Sequence, residues 1–172
     1  MSTIVQAPLL PAAARALHAG ERVLISGVIY GARDAVHKRL TEMLQAGERL
    51  PLELEGQIIY YAGPCPAKPE QVVGSVGPTT GGRMDAYSPG LIKAGLRVMI
   101  GKGERSHKVV EAIKAHDGVY LVAVGGVAAL LAECVKTAET IAYEDLGTEA
   151  VRRLTVENLP VVVAIDHLGN TI

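Results

Sequence analysis

The sequence predicts an α/β fold. Two observations carry this: short apolar runs rich in β-branched residues, such as Arg22–Tyr30 and Arg97–Gly103, and helix-spaced segments lying between them. A third is that glycine or proline punctuates most of the junctions. Strands that alternate with helices and read as continuous apolar runs belong to a mostly buried sheet.

Taken in order, "RVLISGVIY" (22–30) reads as the first strand. "ARDAVHKRLTEMLQAG" follows as a helix. Ala32, Ala35, Val36, Arg39, Leu40, Met43 and Leu44 fall near one face, and Gly47 can end it. "QIIYYAG" (57–63) is a second strand, closed by Gly and Pro, and "VVGSVG" (72–77) reads as a third, short one. "MDAYSPGLIKAG" is a short helix with Pro89 inside it and Gly95 at its end. "RVMIGKG" (97–103) is a buried strand. "SHKVVEAIKAHDG" is a helix with Val109, Ala112, Ile113 and His116 on one face. "VYLVAVGG" is a buried strand, "VAALLAECVKT" a helix packed on several sides, and "LPVVVAIDHLGN" a last strand with a turn. "TIAYEDLG" and "AVRRLTVENL" fit neither period cleanly.

The 172 residues suffice for one domain with a core, and no internal repeat or low-complexity linker divides them. A single domain over residues 1–172 is therefore expected. Apolar residues make up 49%, which argues against disorder. Charge is balanced, 17 basic against 18 acidic residues, which argues against a general nucleic-acid or anionic-membrane surface. With no Trp and no Phe, a base-stacking platform lacks material. Cys65 and Cys134 have neither metal-ligand nor disulfide-framework spacing. The N-terminus has no basic n-region of a signal peptide, and the longest uncharged run, between Asp117 and Glu133, falls short of the ~20 residues of a membrane span. A soluble, cytoplasmic protein is expected.

Three stretches could carry chemistry, and all sit at strand ends or in Gly-rich turns, where open α/β folds gather ligands. In "GARDAVHKR", Arg33 follows a strand and opens a helix, so free N–H groups and a guanidinium could meet a carboxylate or phosphate there. Equally, Arg33 could pair with Asp34 or another nearby acid; Asp34, His37, Lys38 and Arg39 read as ordinary helix residues. In "SVGPTTGGRMDAY", Gly77, Gly81 and Gly82 permit close approach and positive φ, Thr79 and Thr80 offer hydroxyls, and Arg83 a fork of donors. The loop could hold one end of a small oxyanion, or be a tight turn whose threonines cap a helix. In "GKG", glycines strip Lys102 of neighbouring bulk. The spacing is not that of a phosphate-binding GxxxxGK[ST] loop. Lys102 is either an anion-binding charge in a pocket or a solvent lysine in a turn. The five histidines show no ligand spacing, and adjacent Asp166 and His167 would point to opposite faces of a strand. Two arginines in separate loops suit a dicarboxylate, one for each end.

"LISGVIYGARDAVHKRL", "IIYYAGPCP", "SVGPTTGGRMDAY", "MIGKG" and "YLVAVGGVAALLA", in this order, resemble the β component of iron–sulfur class I fumarate hydratases, equivalent to their C-terminal domain. L(+)-tartrate dehydratase β subunits belong to the same family. The resemblance covers roughly Gly20 to Asp166, and "GARDAVHKR" together with "GPTTGGRMD" is its specific part. It implies a swivelling β/β/α domain with mixed β-sheet layers and helices on one side. It implies reversible hydration of fumarate to L-malate, or dehydration of L(+)-tartrate or hydration of a methyl-substituted dicarboxylate, at a site shared with an α subunit. That partner would carry a [4Fe–4S] cluster on three cysteines, which this chain's two cannot supply; a hetero-oligomer is implied, with α2β2 as one arrangement. It implies that Arg33, Thr79, Arg83 and Lys102 bind the C4 dicarboxylate, and that Thr79, with Thr80 beside it, moves the proton next to one carboxylate. A binding module that keeps the anion pocket without catalysis is the reading from another class.

Overall fold

The computed structural model describes residues 1–123 and 128–172. The elements are β1 (Thr3–Ala7), α1 (Pro11–Arg15), β2 (Arg22–Gly31), α2 (Asp34–Gln45), β3 (Ile58–Tyr60), a 3-10 turn (Gly81–Met84), α3 (Ser88–Lys93), β4 (Val98–Gly101), α4 (His107–His116), β5 (Val119–Val122), α5 (Ala128–Glu133), β6 (Val135–Ala142), a 3-10 segment (Glu144–Glu149) and β7 (Val151–Ile165). The fold is mixed α/β. The described residues form one seven-stranded sheet in the order β1-β2-β3-β4-β5-β7-β6. An added β2–β7 pairing closes β2, β3, β4, β5 and β7 into a barrel-like ring.

The ring follows from alternation. Ile58 and Tyr60, Val98 and Ile100, and Val119 and Leu121 point into one core cluster with Val23, Ile25 and Ile29 of β2. The intervening Ile59, Met99 and Tyr120 point the other way, into a second cluster with Val36 and Leu40 of α2, Leu91 and Ile92 of α3, and Val109 and Ile113 of α4. Both faces of the central strands are thus apolar, as their unbroken hydrophobic runs require. Ala14 of α1 and Leu131 of α5 belong to the first cluster. Inside the ring, the Tyr60 hydroxyl donates to the Val76 carbonyl at 2.7 Å, so its polar tip is satisfied and the loop after β3 is anchored.

Several elements differ from the sequence expectation. The ambiguous "AVRRLTVENL" and the last predicted strand are one element, β7. Asn158, with φ +52°, is the reason: it shifts the alternation, so that Leu154 and Val156 before it and Leu159, Val161 and Val163 after it all enter the first cluster. "VVGSVG" is no strand. Gly74 lies so close over Cys65 and Pro66 that a Cβ would sit 2.5 Å from the Cys65 carbonyl, and the loop is tied by Cys65 N–H to Ser75 O at 3.0 Å. The predicted helix through Thr137 stops at Glu133, and β-branched Val135 opens β6 instead. That helix is not packed on several sides: Leu131 is its buried residue, with Leu130 exposed. Pro89 sits at the first turn of α3, where its missing N–H costs nothing, not inside it. On α2 the buried face is Val36, His37 and Leu40, and Arg39 lies outside it. Strand β1 carries no sequence signal strong enough to predict it; it pairs in parallel with the first half of β2. Val124 to Val127, read as strand end and helix start, lie outside the described residues.

Pairing of β2, β3, β4 and β5 is parallel. Their carboxyl ends therefore share one end of the ring, and that end holds the three Gly-rich stretches.

Candidate active site

Arg33 follows β2 and is the N-cap residue of α2. Its backbone is fixed by its neighbours: Ala32 N–H donates to Tyr60 O at 3.0 Å, and the Arg33 carbonyl accepts from His37 N–H at 2.9 Å. It also accepts from His37 Nδ1 at 2.7 Å. The Arg33 side chain lies across Gly63, just past β3. A Cβ at Gly63 would sit 2.7 Å from Nη1 and 2.8 Å from Cδ, so this glycine provides space for the arginine. Glu149 approaches Arg33 Nε to 3.9 Å, too far for a hydrogen bond. Nε is buried and has no hydrogen-bond partner among the described residues.

Thr79 and Thr80 run beside the end of β4. Thr79 N–H donates to the Tyr61 carbonyl at 2.6 Å, and the Thr79 carbonyl accepts from Lys102 N–H at 3.2 Å. Gly81 N–H donates to the Lys102 carbonyl at 2.7 Å, and Thr80 and Lys102 form a parallel bridge. The loop thus joins the ends of β3 and β4 like a short extra strand. Thr79 is almost wholly buried, Thr80 and Lys102 are exposed, and neither threonine side chain caps the following turn. Among the described residues Lys102 has no acidic partner within 4 Å.

The glycines of this loop serve space rather than positive φ. None of Gly77, Gly81 and Gly82 has a positive φ. Gly81 is packed tightest: a Cβ there would lie 2.5 Å from the Tyr120 hydroxyl and 2.8 Å from Arg105 Cδ. Gly103, after the lysine, is the one that takes φ +76°.

Arg83 leaves the 3-10 turn and meets Asp34. Its Nε and Nη2 both lie 3.0 Å from Asp34 Oδ2. The acid that sequence proximity suggested for Arg33 is thus paired with the arginine 49 positions away. The chain brings the two arginine segments together through this carboxylate, and Thr79, Thr80 and Lys102 together through backbone pairing.

Three supporting residues carry no sequence signal of function. The side chain of Arg105 is fully buried. Its Nε donates to Asp85 Oδ1 at 2.7 Å and its Nη2 to Ser88 Oγ at 2.8 Å. Its guanidinium lies 5.2 Å from the Tyr61 ring centre and 4.7 Å from that of Tyr120. Asp85 Oδ2 accepts from Ser106 N–H at 2.7 Å, so this acid ties the threonine–arginine loop to the start of α4. His37 is fully buried, and burial holds its imidazole well below the ordinary histidine value, at about 4. It is neutral, with Nδ1–H given to Arg33, and packs edge-on to Tyr61 at 5.2 Å. The sole hints were their places: His37 one turn past Arg33, Asp85 and Arg105 two or three residues past Arg83 and Lys102. Asp166 is a turn anchor beside the other end of the chain, accepting from Ala19 N–H, Leu168 N–H and Asn170 N–H.

A cavity of ≈ 510 Å³ opens beside Lys102, lined by Tyr120, Val122, Ile165 and Ile172 among others. Arg33, Thr79 and Arg83 are not among its lining residues. Among the described residues no three His, Cys, Asp or Glu side chains converge as metal ligands. No helix of the described residues is long and apolar enough to cross a membrane.

Comparison with known proteins adds the family. A family model described as Fumarase C-terminus matches residues 3–172. The chain is 41% identical over 151 residues, 87% of its length, to "Fumarate hydratase class I, aerobic" of Escherichia coli (strain K12). It is 43% identical over 152 residues to "Fumarate hydratase 1, mitochondrial" of Leishmania major, again 87% of its length. It spans about 28% of the length of each of these two relatives. With "Putative L(+)-tartrate dehydratase subunit beta" of Methanocaldococcus jannaschii it shares 40% identity over 162 residues, covering 91% of this chain and 83% of that protein. The match over residues 3–172 shows that the chain belongs to the fumarase C-terminus family.

Proposed function

We propose that this chain is the β component of a hydro-lyase that interconverts fumarate and L-malate. One observation supports this most: Thr79 and Lys102 are locked side by side by backbone pairing, at the strand end to which Asp34 also ties Arg83 beside Arg33. Hydroxyl, ammonium and two guanidinium groups on segments that meet at one end of the ring suit a dianion with a carboxylate at each end.

In this reading the 172 residues act as one swivelling β/β/α domain in the reducing cytoplasm, which suits two unpaired cysteines. Arg33 and Arg83 hold the carboxylates, and Lys102 adds charge where electron density grows beside the carbon that loses its proton. Holding both ends places the C–H bond over Thr79. In dehydration Thr79 takes the proton from the carbon next to one carboxylate, the electron pair of that C–H bond forms the C=C bond, and the hydroxyl on the neighbouring carbon leaves as water with a proton that the α subunit would supply; hydration reverses each step. A threonine hydroxyl is a weak base, and Lys102 and Arg83 favour its alkoxide. Thr80 flanks this step.

An iron–sulfur cluster does not fit this chain's own donor set. Cys65 is exposed on the loop after β3, Cys134 lies between α5 and β6, and among the described residues no third ligand joins either. The [4Fe–4S] cluster belongs to an α subunit, which also covers this end of the ring in a hetero-oligomer. The second reading, L(+)-tartrate dehydration, is favoured by the match to a tartrate dehydratase β subunit over most of that protein.

The test is anaerobic co-purification with the cluster-bearing partner, followed by assays on fumarate, L-malate and L(+)-tartrate. Fumarate–malate turnover is expected. Turnover on tartrate alone would transfer the chemistry to the second reading. Purified chain that binds a dicarboxylate but recruits no partner and turns nothing over would leave a binding module.

A further inference from the structure

We propose that Asp34 is a positioning residue for the anion site: it orients Arg83 and fixes that arginine relative to Arg33. This rests on the functional reading above, in which both arginines hold carboxylates.

Asp34 is a fixed point. It is the first residue of α2, directly after the capping residue Arg33, whose carbonyl takes two hydrogen bonds from His37. A carboxylate in the first turn also sits at the positive end of the helix. Arg83, by contrast, leaves a short turn, and half of its side chain is exposed. A long side chain in that situation samples many rotamers unless something holds it. Asp34 does so with one oxygen. Oδ2 meets both Nε and Nη2 of Arg83 at 3.0 Å. Nη1 has no partner among the described residues, so donors remain for a ligand while the plane of the guanidinium is set.

The other oxygen points to the same conclusion. Asp34 Oδ1 is buried and has no hydrogen-bond partner among the described residues. Asp34 is not the capping residue of its helix, and no backbone N–H donates to its oxygens among the described residues. Asp34 gives its contact to a residue 49 positions away, on the loop that carries Thr79. Its charge offsets one of the cations on the face, and a dianion meets a site whose two guanidinium groups are held apart at a set spacing.

The experiment is a double-mutant cycle on the complex with its partner: wild type, Asp34→Asn, Arg83→Ala and the double variant. Two quantities are read on all four proteins, the Kd of succinate by titration calorimetry and the kcat and KM for fumarate and L-malate. Asp34→Asn should raise both Kd and KM about tenfold, and Asp34→Glu should recover part of the loss. In the Arg83→Ala background, Asp34→Asn should change either constant less than twofold, because the residue it positions is gone. A role confined to helix stability would give the same loss in both backgrounds and would overturn the proposal. So would an Asp34→Asn complex that binds succinate as well as or more tightly than wild type. If the wild-type complex binds succinate but turns over no C4 dicarboxylate, the functional reading fails while the succinate cycle still decides the role of Asp34. A wild-type complex that binds no succinate overturns both.

Discussion

Two buried ionisable side chains set the energetic character of the site. Arg105 is a full charge inside the protein, offset by one carboxylate, Asp85, and faced by two tyrosine rings. Removing the acid leaves an uncompensated cation there. Asp85→Asn should therefore lower the unfolding free energy by about 3 kcal/mol, measured by urea denaturation. His37 makes a second prediction. Its native value near 4 lies below the ordinary 6.5, so the unfolded chain binds more protons than the native one between those limits. The stability it provides is complete above about pH 6.5 and falls as pH drops towards 4, by on the order of 3 kcal/mol. Urea midpoints across that range should show the fall, and His37→Gln should flatten it. Neither residue was legible in the sequence as more than a helix or loop position. Their importance comes from partners brought together only by the fold: Asp85 is 20 positions from Arg105, and Tyr61 lies just past the end of β3.

At the scale of elements, the strands and the glycines tell different stories. Arg22–Tyr30 and Arg97–Gly103 were readable because an unbroken apolar run has no other use in a buried parallel sheet. The second half of β7 was readable for the same reason, but residues 151–158 were not, because Arg152, Arg153 and Glu157 interrupt them and the left-handed Asn158 breaks the period. β1 has five residues and two buried side chains, too little pattern to distinguish a strand from a tail. The glycines around the site were visible, but their reason was not. Sequence suggests close approach of a ligand and freedom of φ, whereas Gly81 and Gly63 are crowded by the protein's own atoms over their Cα atoms. Gly63 supplies the element-scale test. Gly63→Ala places a methyl group against Arg33, a flexible side chain that can yield, so the fold survives and the arginine moves. KM for the dicarboxylate should rise about tenfold with kcat changed less, while the urea midpoint stays near wild type. An unchanged KM would remove Arg33 from substrate binding.

The whole molecule is a closed ring with one chemical end. The carboxyl ends of β2, β3 and β4 lead into it, and the segments that follow them carry the five residues that the family resemblance implies. How Thr79 and Lys102 come to lie together could not be read from sequence, since it needs the 78–81 segment to pair with the strand end as it does. The long-range link from Asp34 to Arg83 was hidden for the same reason. The central claim is that this face performs proton transfer at Thr79 on a dicarboxylate held by cations. The most direct measurement is steady-state kinetics of the anaerobically prepared complex, wild type against Thr79→Val, with fumarate and L-malate. Valine keeps the shape and removes the hydroxyl. The account predicts a fall in kcat of at least about 100-fold with KM within threefold of wild type. A Thr79→Val complex with normal kcat would contradict it.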